Sequence, residues 1–211
     1  MNETDLRTEI AAERGELAAM LGALAPGDWD APSLCEGWRI REVVAHITMA
    51  YRYSAPRVIF ELARSGGRFD RMLDRCARRD AASVPAADLH ASLRDNTTHP
   101  WKPPGGGYEG ALTHDVVHGL DMTVALGLDR RVPEARLRVV LEGLGSPRGL
   151  KYFGVDLDGI ELRADDMDWS FGSGTPVTGA AQDLALVLCG RRLPAGRLRG
   201  ERSARFAAAR T

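Results

Sequence analysis

No run of about 18 apolar residues occurs in the chain, so no transmembrane helix is expected. The opening stretch, MNETDLRTEIAAERGE, is acidic and lacks the basic region and apolar core of a secretory signal. An excess of basic charge is missing too. Lys and Arg total 28 against 29 Asp and Glu, a formal net charge of -1 that offers no footprint for nucleic acid. Cysteine is scarce. Cys35, Cys76 and Cys189 are far apart, odd in number and form no CxxC pair. That excludes a disulfide framework and points to a reduced, cytoplasmic setting. Histidine is scarce as well, at five in 211 residues. Three of the five fall within apolar helical runs, and that concentration needs a reason.

What is present is mostly amphipathic helix. A 44% hydrophobic content permits a sizeable core, in one large domain or two small ones. Residues 4–23 place Leu6, Ile10, Leu17, Met20 and Leu21 at helical spacing, with Thr4 or Asp5 as the cap. A second helix is expected from about Trp38 to Ala63, its buried side made by Val43, Val44, Ile47, Tyr51, Val58, Ile59 and Leu62, with a kink at Pro56. Ser33 and Glu36 fit a capping box just ahead of it. The charged run 68–80 reads as a short helix or the start of the third, with a narrow stripe of Phe69, Leu73 and Cys76 and an otherwise solvated face. Residues 84–97 give a stronger third helix, with Pro85 in its first turn and Leu89 and Leu93 inward.

The Pro- and Gly-rich segment 98–110 reads as a loop. It leads into a fourth helix over Ala111–Leu126, whose apolar positions are Val116, Val117, Leu120 and Val124. The pattern changes near residue 130. Pro133–Leu144 is a short amphipathic helix, Ile160–Ala164 and Asp168–Phe171 read as strands, and Gly179–Cys189 as a last helix capped by Thr178. The tail from Arg191 holds seven arginines and one glutamate and reads as partly solvated. The fold class is therefore α+β. Residues 1–130 form a helical domain and 131–211 a small mixed one.

The fourth helix places His114, His118 and Asp121 on one face, each one turn from the next. His46 lies in another apolar helical run, VVAHITMA. Bundle cores build metal sites from side chains on facing helices, and three neutral imidazoles suit zinc, nickel, iron or copper. With no fourth ligand evident, the site would be open, as catalytic zinc sites are. Asp121 is a candidate acceptor for a ligand N–H or a general base. Asp115 stands where HExxH proteases carry glutamate, so this is not that motif. The plainer alternative makes these histidines interior groups satisfied by hydrogen bonds. His90 and His99 read as surface or loop residues, Trp38 as a core anchor, and Trp101 as a residue that could line a pocket. Cys35 has no basic neighbour in sequence to activate it.

Three stretches together, WDAPSLCEGWRIREVVAHI, GGGYEGALTHDVVHGLDMTVALG and LRADDMDWSFGSGTPVTGAAQDLALVLCGR, resemble the mycothiol-dependent maleylpyruvate isomerase family, within the DinB-like superfamily of metal-binding four-helix proteins. The resemblance implies a DinB-like four-helix bundle followed by a small α+β C-terminal domain. It implies one divalent metal, zinc first with nickel or iron as alternatives, held by His46, His114 and His118. The ligand matching His114 is glutamate in the isomerase, so this site is one negative charge poorer. It also implies mycothiol as a thiol cofactor and a small-molecule substrate; by its place one turn beyond His118, Asp121 is the candidate catalytic side chain. The reaction expected is isomerisation, by thiolate addition to a conjugated double bond, rotation and departure, or thiol S-transfer to an electrophilic carbon. Arginines of the C-terminal region would hold a substrate carboxylate. Two other classes remain open: a thiol-independent metal hydrolase, isomerase or lyase using metal-bound water, and a non-catalytic metal-binding or stress-related bundle. A monomer and a homodimer are both compatible with the sequence.

Overall fold

The computed structural model describes residues 1–208. Its fold is α+β, a helical N-terminal region followed by further helices around a small four-stranded sheet. The chain separates into two compact units, Asn2–Ala111 and the residues from Leu112 onward. The change of pattern near residue 130 lies inside the second. Among the described residues no helix is long and apolar enough to cross a membrane.

The first unit begins with α1 (Glu3–Gly22). Its cap is Asn2 rather than Thr4 or Asp5. The Asn2 side chain accepts from the Asp5 N–H at 3.0 Å, and Asp5 accepts from the Asn2 N–H at 3.3 Å. Asp5 thus sits at the third helical position and closes the box from inside. Leu6, Ile10, Leu17 and Leu21 are buried as expected, and so are Glu13 and Arg14. Arg14 donates to the carbonyls of Thr97 and His99, at 3.3 and 2.7 Å. Ser33 and Glu36 do not open a helix. Ser33 Oγ accepts from the Cys35 N–H and donates to the Trp38 carbonyl, closing a tight turn. α2 (Ile40–Arg52) starts two residues later, where Glu42 reaches back to the Arg39 N–H at 2.8 Å.

The expected kink at Pro56 is a complete break. Tyr53 and Ser54 are extended, and α3 (Ala55–Arg64) starts afresh with Pro56 in its first turn. Proline has no N–H to give a preceding turn, so it fits a helix start better than a helix interior. The restart re-phases the apolar positions. Ile59, expected inside, is 68% exposed, and Glu61 turns inward instead. α4 (Phe69–Ser83) is a full helix, with Met72 and Cys76 buried and Phe69 outward. It is not simply a solvated face, because Asp80 is buried and takes Arg52 Nη1 at 2.6 Å and the Tyr53 hydroxyl at 2.9 Å. Glu61 accepts from Arg75 at 2.6 Å and Arg79 at 2.5 Å. These ion pairs tie α2, α3 and α4 around the break. α5 (Ala86–Arg94), with Pro85 as its cap residue, buries Leu89 and Leu93 and packs on α1 and α2.

α6 (Gly107–Thr123) carries the chain from the first unit into the second. It begins four residues before the expected start, because the run Gly107–Gly110 is helical and not loop. In the second unit follow α7 (Glu134–Gly145) and α8 (Pro147–Phe153), a short helix capped by Ser146 that the sequence reading lacked. β1 (Ile160–Ala164), β2 (Ser170–Gly172), β3 (Thr175–Gly179) and β4 (Leu198–Arg199) form one sheet in the order β2-β1-β3-β4. β1 runs antiparallel to β2 and parallel to β3. The chain must therefore cross the end of β1 between its two neighbours. Gly174 (φ 130°) makes this possible, since a Cβ there would lie 2.3 Å from the Gly159 carbonyl oxygen. β3 takes in Thr178 and Gly179, which the sequence pattern puts at the cap and start of the last helix. Thr178 is in the strand, and the N–H at the start of α9 (Ala181–Leu188) is taken by Asp166 at 2.8 Å. α9 packs on α7, β1 and β3, with Ala181, Leu184 and Leu188 buried. Of the arginine tail, residues 209–211 lie outside the described residues.

Candidate metal centre

α6 sets His114 above His118, with ring centroids 4.7 Å apart and the rings edge-on at 81°. Val116, Val117 and Leu120 are buried, so the helix places both rings by seating its apolar face. Each ring is tied to its own acid. His114 Nδ1 lies 2.9 Å from Asp115 Oδ1, and His118 Nδ1 lies 3.0 Å from Asp121 Oδ2. A carboxylate can only accept, so Nδ1 carries the proton in both rings and Nε2 carries the lone pair. This is the arrangement of carboxylate–histidine–metal triads. The histidine side chains are 16% and 14% exposed, their acids 1% and 0%. The donor set therefore fits a divalent ion that prefers imidazole nitrogen.

Behind His118 stands a third group. Arg191 donates Nε to Asp121 Oδ1 at 2.8 Å and Nη2 to Asp121 Oδ2 at 3.0 Å. Gly190 (φ 73°) ends α9 and turns the chain so that Arg191 follows. Burial alone would raise the Asp121 pKa, but the hydrogen bonds from His118 and Arg191 outweigh it and hold the carboxyl well below the usual range. Burial, only partly offset by Asp121, pushes the His118 pKa down, which favours the neutral, ligating ring. Neighbouring Cys189 is pushed up to about 12 by burial, so its thiol stays protonated and inert.

In the first unit, His46 lies half-buried on α2 against Trp38, with ring centroids 5.3 Å apart. Trp38 is half-buried and is held by α4, where Asp74 accepts its Nε1–H at 2.8 Å. The other two histidines serve structure. His90 Nε2 pairs with the Ala18 carbonyl at 2.9 Å. His99 Nδ1 accepts the Trp101 N–H at 3.2 Å, and its ring meets Tyr51. Cys35 is buried. The sequence reading noted Asp115 only as a motif mismatch and left Arg191 among the tail arginines. The run GRR directly after the last helix was the one signal for Arg191, and nothing in it named Asp121 as the partner.

Residues 10–99 match the family model of the mycothiol maleylpyruvate isomerase N-terminal domain. No curated protein matches the chain in sequence. Two solved structures share its fold, a histidine-to-alanine mutant of the mycothiol-dependent maleylpyruvate isomerase (TM-score 0.61) and that isomerase itself (TM-score 0.55). Each is 13% identical, over 96% of this chain and 94% of the other. Residues 10–99 are thus similar to the mycothiol maleylpyruvate isomerase N-terminal domain, and the chain shares the fold of the isomerase.

Proposed function

We propose that the protein is a divalent-metal-dependent enzyme that uses a low-molecular-weight thiol, mycothiol, to isomerise or S-conjugate a small electrophilic substrate bearing a carboxylate. The observation that carries this reading is the pair of acid-anchored imidazoles on α6. The family-model match over residues 10–99 and the fold point the same way. We assign His46, His114 and His118 as the ligands, each offering a ring nitrogen, with zinc first and nickel or iron as alternatives. A divalent ion there would lower the pKa of a bound thiol and so supply a thiolate at neutral pH.

The chain's own residues then have separate tasks. Asp121 fixes the His118 tautomer and, held ionised by Arg191, acts through that ring. Arginines after α9 other than Arg191, whose charge Asp121 takes, would hold a substrate carboxylate. The domain boundary proposed near residue 130 belongs to this reading, since all three ligands precede it. Metal analysis of the purified protein, with kinetics on maleylpyruvate and related unsaturated acids with and without mycothiol, tests it. Stoichiometric metal with thiol-dependent turnover is expected. Metal with turnover independent of thiol would replace it by chemistry of metal-bound water. A protein that binds no metal would overturn both.

A further inference from the structure

Sequence neighbours on a helix point about 100° apart and do not normally face each other. His114 and Asp115 break that pattern, with Nδ1 and Oδ1 at 2.9 Å. The Asp115 side chain is 1% exposed, so its charge sits out of water beside a ring that is 16% exposed. A buried carboxylate is costly unless it is hydrogen-bonded, and the imidazole N–H is one donor that meets that cost. His118 and Asp121 make the same kind of contact one turn on, with two residues between them instead of none. One helix thus carries two acid–imidazole pairs built from different spacings.

We infer that Asp115 is a positioning residue for His114, fixing the ring with Nδ1 protonated and Nε2 as its lone-pair atom. It sits directly behind the ring that the proposal above makes a ligand, and holds that ring through its Nδ1–H. The effect on metal affinity rests on the metal-site proposal above, whereas the ring tautomer does not.

The test uses the full chain and Asp115→Leu, which keeps the side-chain size and, unlike an amide, leaves no acceptor for the Nδ1–H. Zinc affinity is measured by chelator competition. The ring tautomers are read from histidine nitrogen NMR shifts in chelator-treated protein. Affinity about 10- to 100-fold weaker in the variant is expected, with the His114 ring losing its single Nδ1-protonated form. Asp121→Leu should perturb the His118 ring and leave that of His114 in place, which separates local positioning from general loosening of α6. Equal zinc affinity in wild type and Asp115→Leu overturns the inference and leaves the metal proposal standing. If the wild type binds no zinc, the metal proposal fails and the spectrum alone decides. A His114 tautomer that changes with Asp115 then upholds the positioning role, and one that does not change overturns it.

Discussion

Asp121 and Arg191 are 70 positions apart in sequence and form a two-pronged ion pair, 2.8 and 3.0 Å, whose carboxylate also takes the Nδ1–H of His118. The pair joins α6 to the turn after α9 within one compact unit. Three charged or polar groups thereby satisfy one another where the acid is fully buried. Such a pair is poor evidence of net stabilisation compared with an apolar replacement. Breaking it from one side is another matter.

Arg191→Ala should therefore destabilise the protein by roughly 3–5 kcal/mol, because it strands the Asp121 charge in the interior. Replacing both partners, in an Asp121→Asn/Arg191→Ala double variant, should cost less than the two single changes added together. Urea unfolding of the four proteins gives the coupling directly. Additive losses would show that the pair acts only as two independent packing contacts.

Each of His46→Ala, His114→Ala and His118→Ala should lower the metal content of the protein as purified, since three ligands are the least that an open catalytic site keeps. Binding should also weaken in acid, because ligation needs neutral rings. Inductively coupled plasma mass spectrometry on dialysed samples at pH 7.5 and 5.5 measures both effects. A variant with full metal content removes its histidine from the ligand set.

Glu61 gives a pH prediction away from the metal centre. Hydrogen bonds from Arg79 and Arg75 lower its pKa from 4.5 to about 2 in the folded protein. A carboxylate with a depressed folded pKa stabilises the protein above its unfolded pKa, and that contribution fades as the pH falls. The loss should run from about pH 5 down to 2 and amount to the order of 2 kcal/mol. Comparing urea midpoints of wild type and Glu61→Gln between pH 6 and 3 isolates it. The variant should start less stable and fall less steeply.

How much of this was legible in the sequence depended on distance along the chain. The histidines and Asp121 share one helix face by spacing alone, and Leu89, Leu93, Leu184 and Leu188 are inward as their periodicity requires. The break at Tyr53 was half visible. Pro56 announces a disturbance, but Glu61 turning inward depends on Arg75 and Arg79 from the next helix. β3 was hidden because Thr178 and Gly179 read as the cap and start of the last helix, and pairing with β1 overrides that pattern. Arg191 was hidden for the same reason on a longer scale, since a partner 70 residues away leaves no local pattern.

Trp38 offers a direct optical test of His46. The indole is held by Asp74 and lies 5.3 Å from the His46 ring, centroid to centroid. An open-shell ion such as Ni²⁺ or Cu²⁺ bound at that imidazole should quench Trp38 emission, whereas Zn²⁺, with a filled d shell, should not. The chain has four tryptophans, so the Trp38 share must be isolated. Trp38→Phe keeps an aromatic ring against His46 and removes the reporter. Titrating Ni²⁺ into wild type and Trp38→Phe should give saturable quenching in the first and most of it lost in the second. His46→Ala should abolish the same component while Trp38 still emits. Quenching that survives in His46→Ala would place the ion away from α2 and remove His46 from the ligand set.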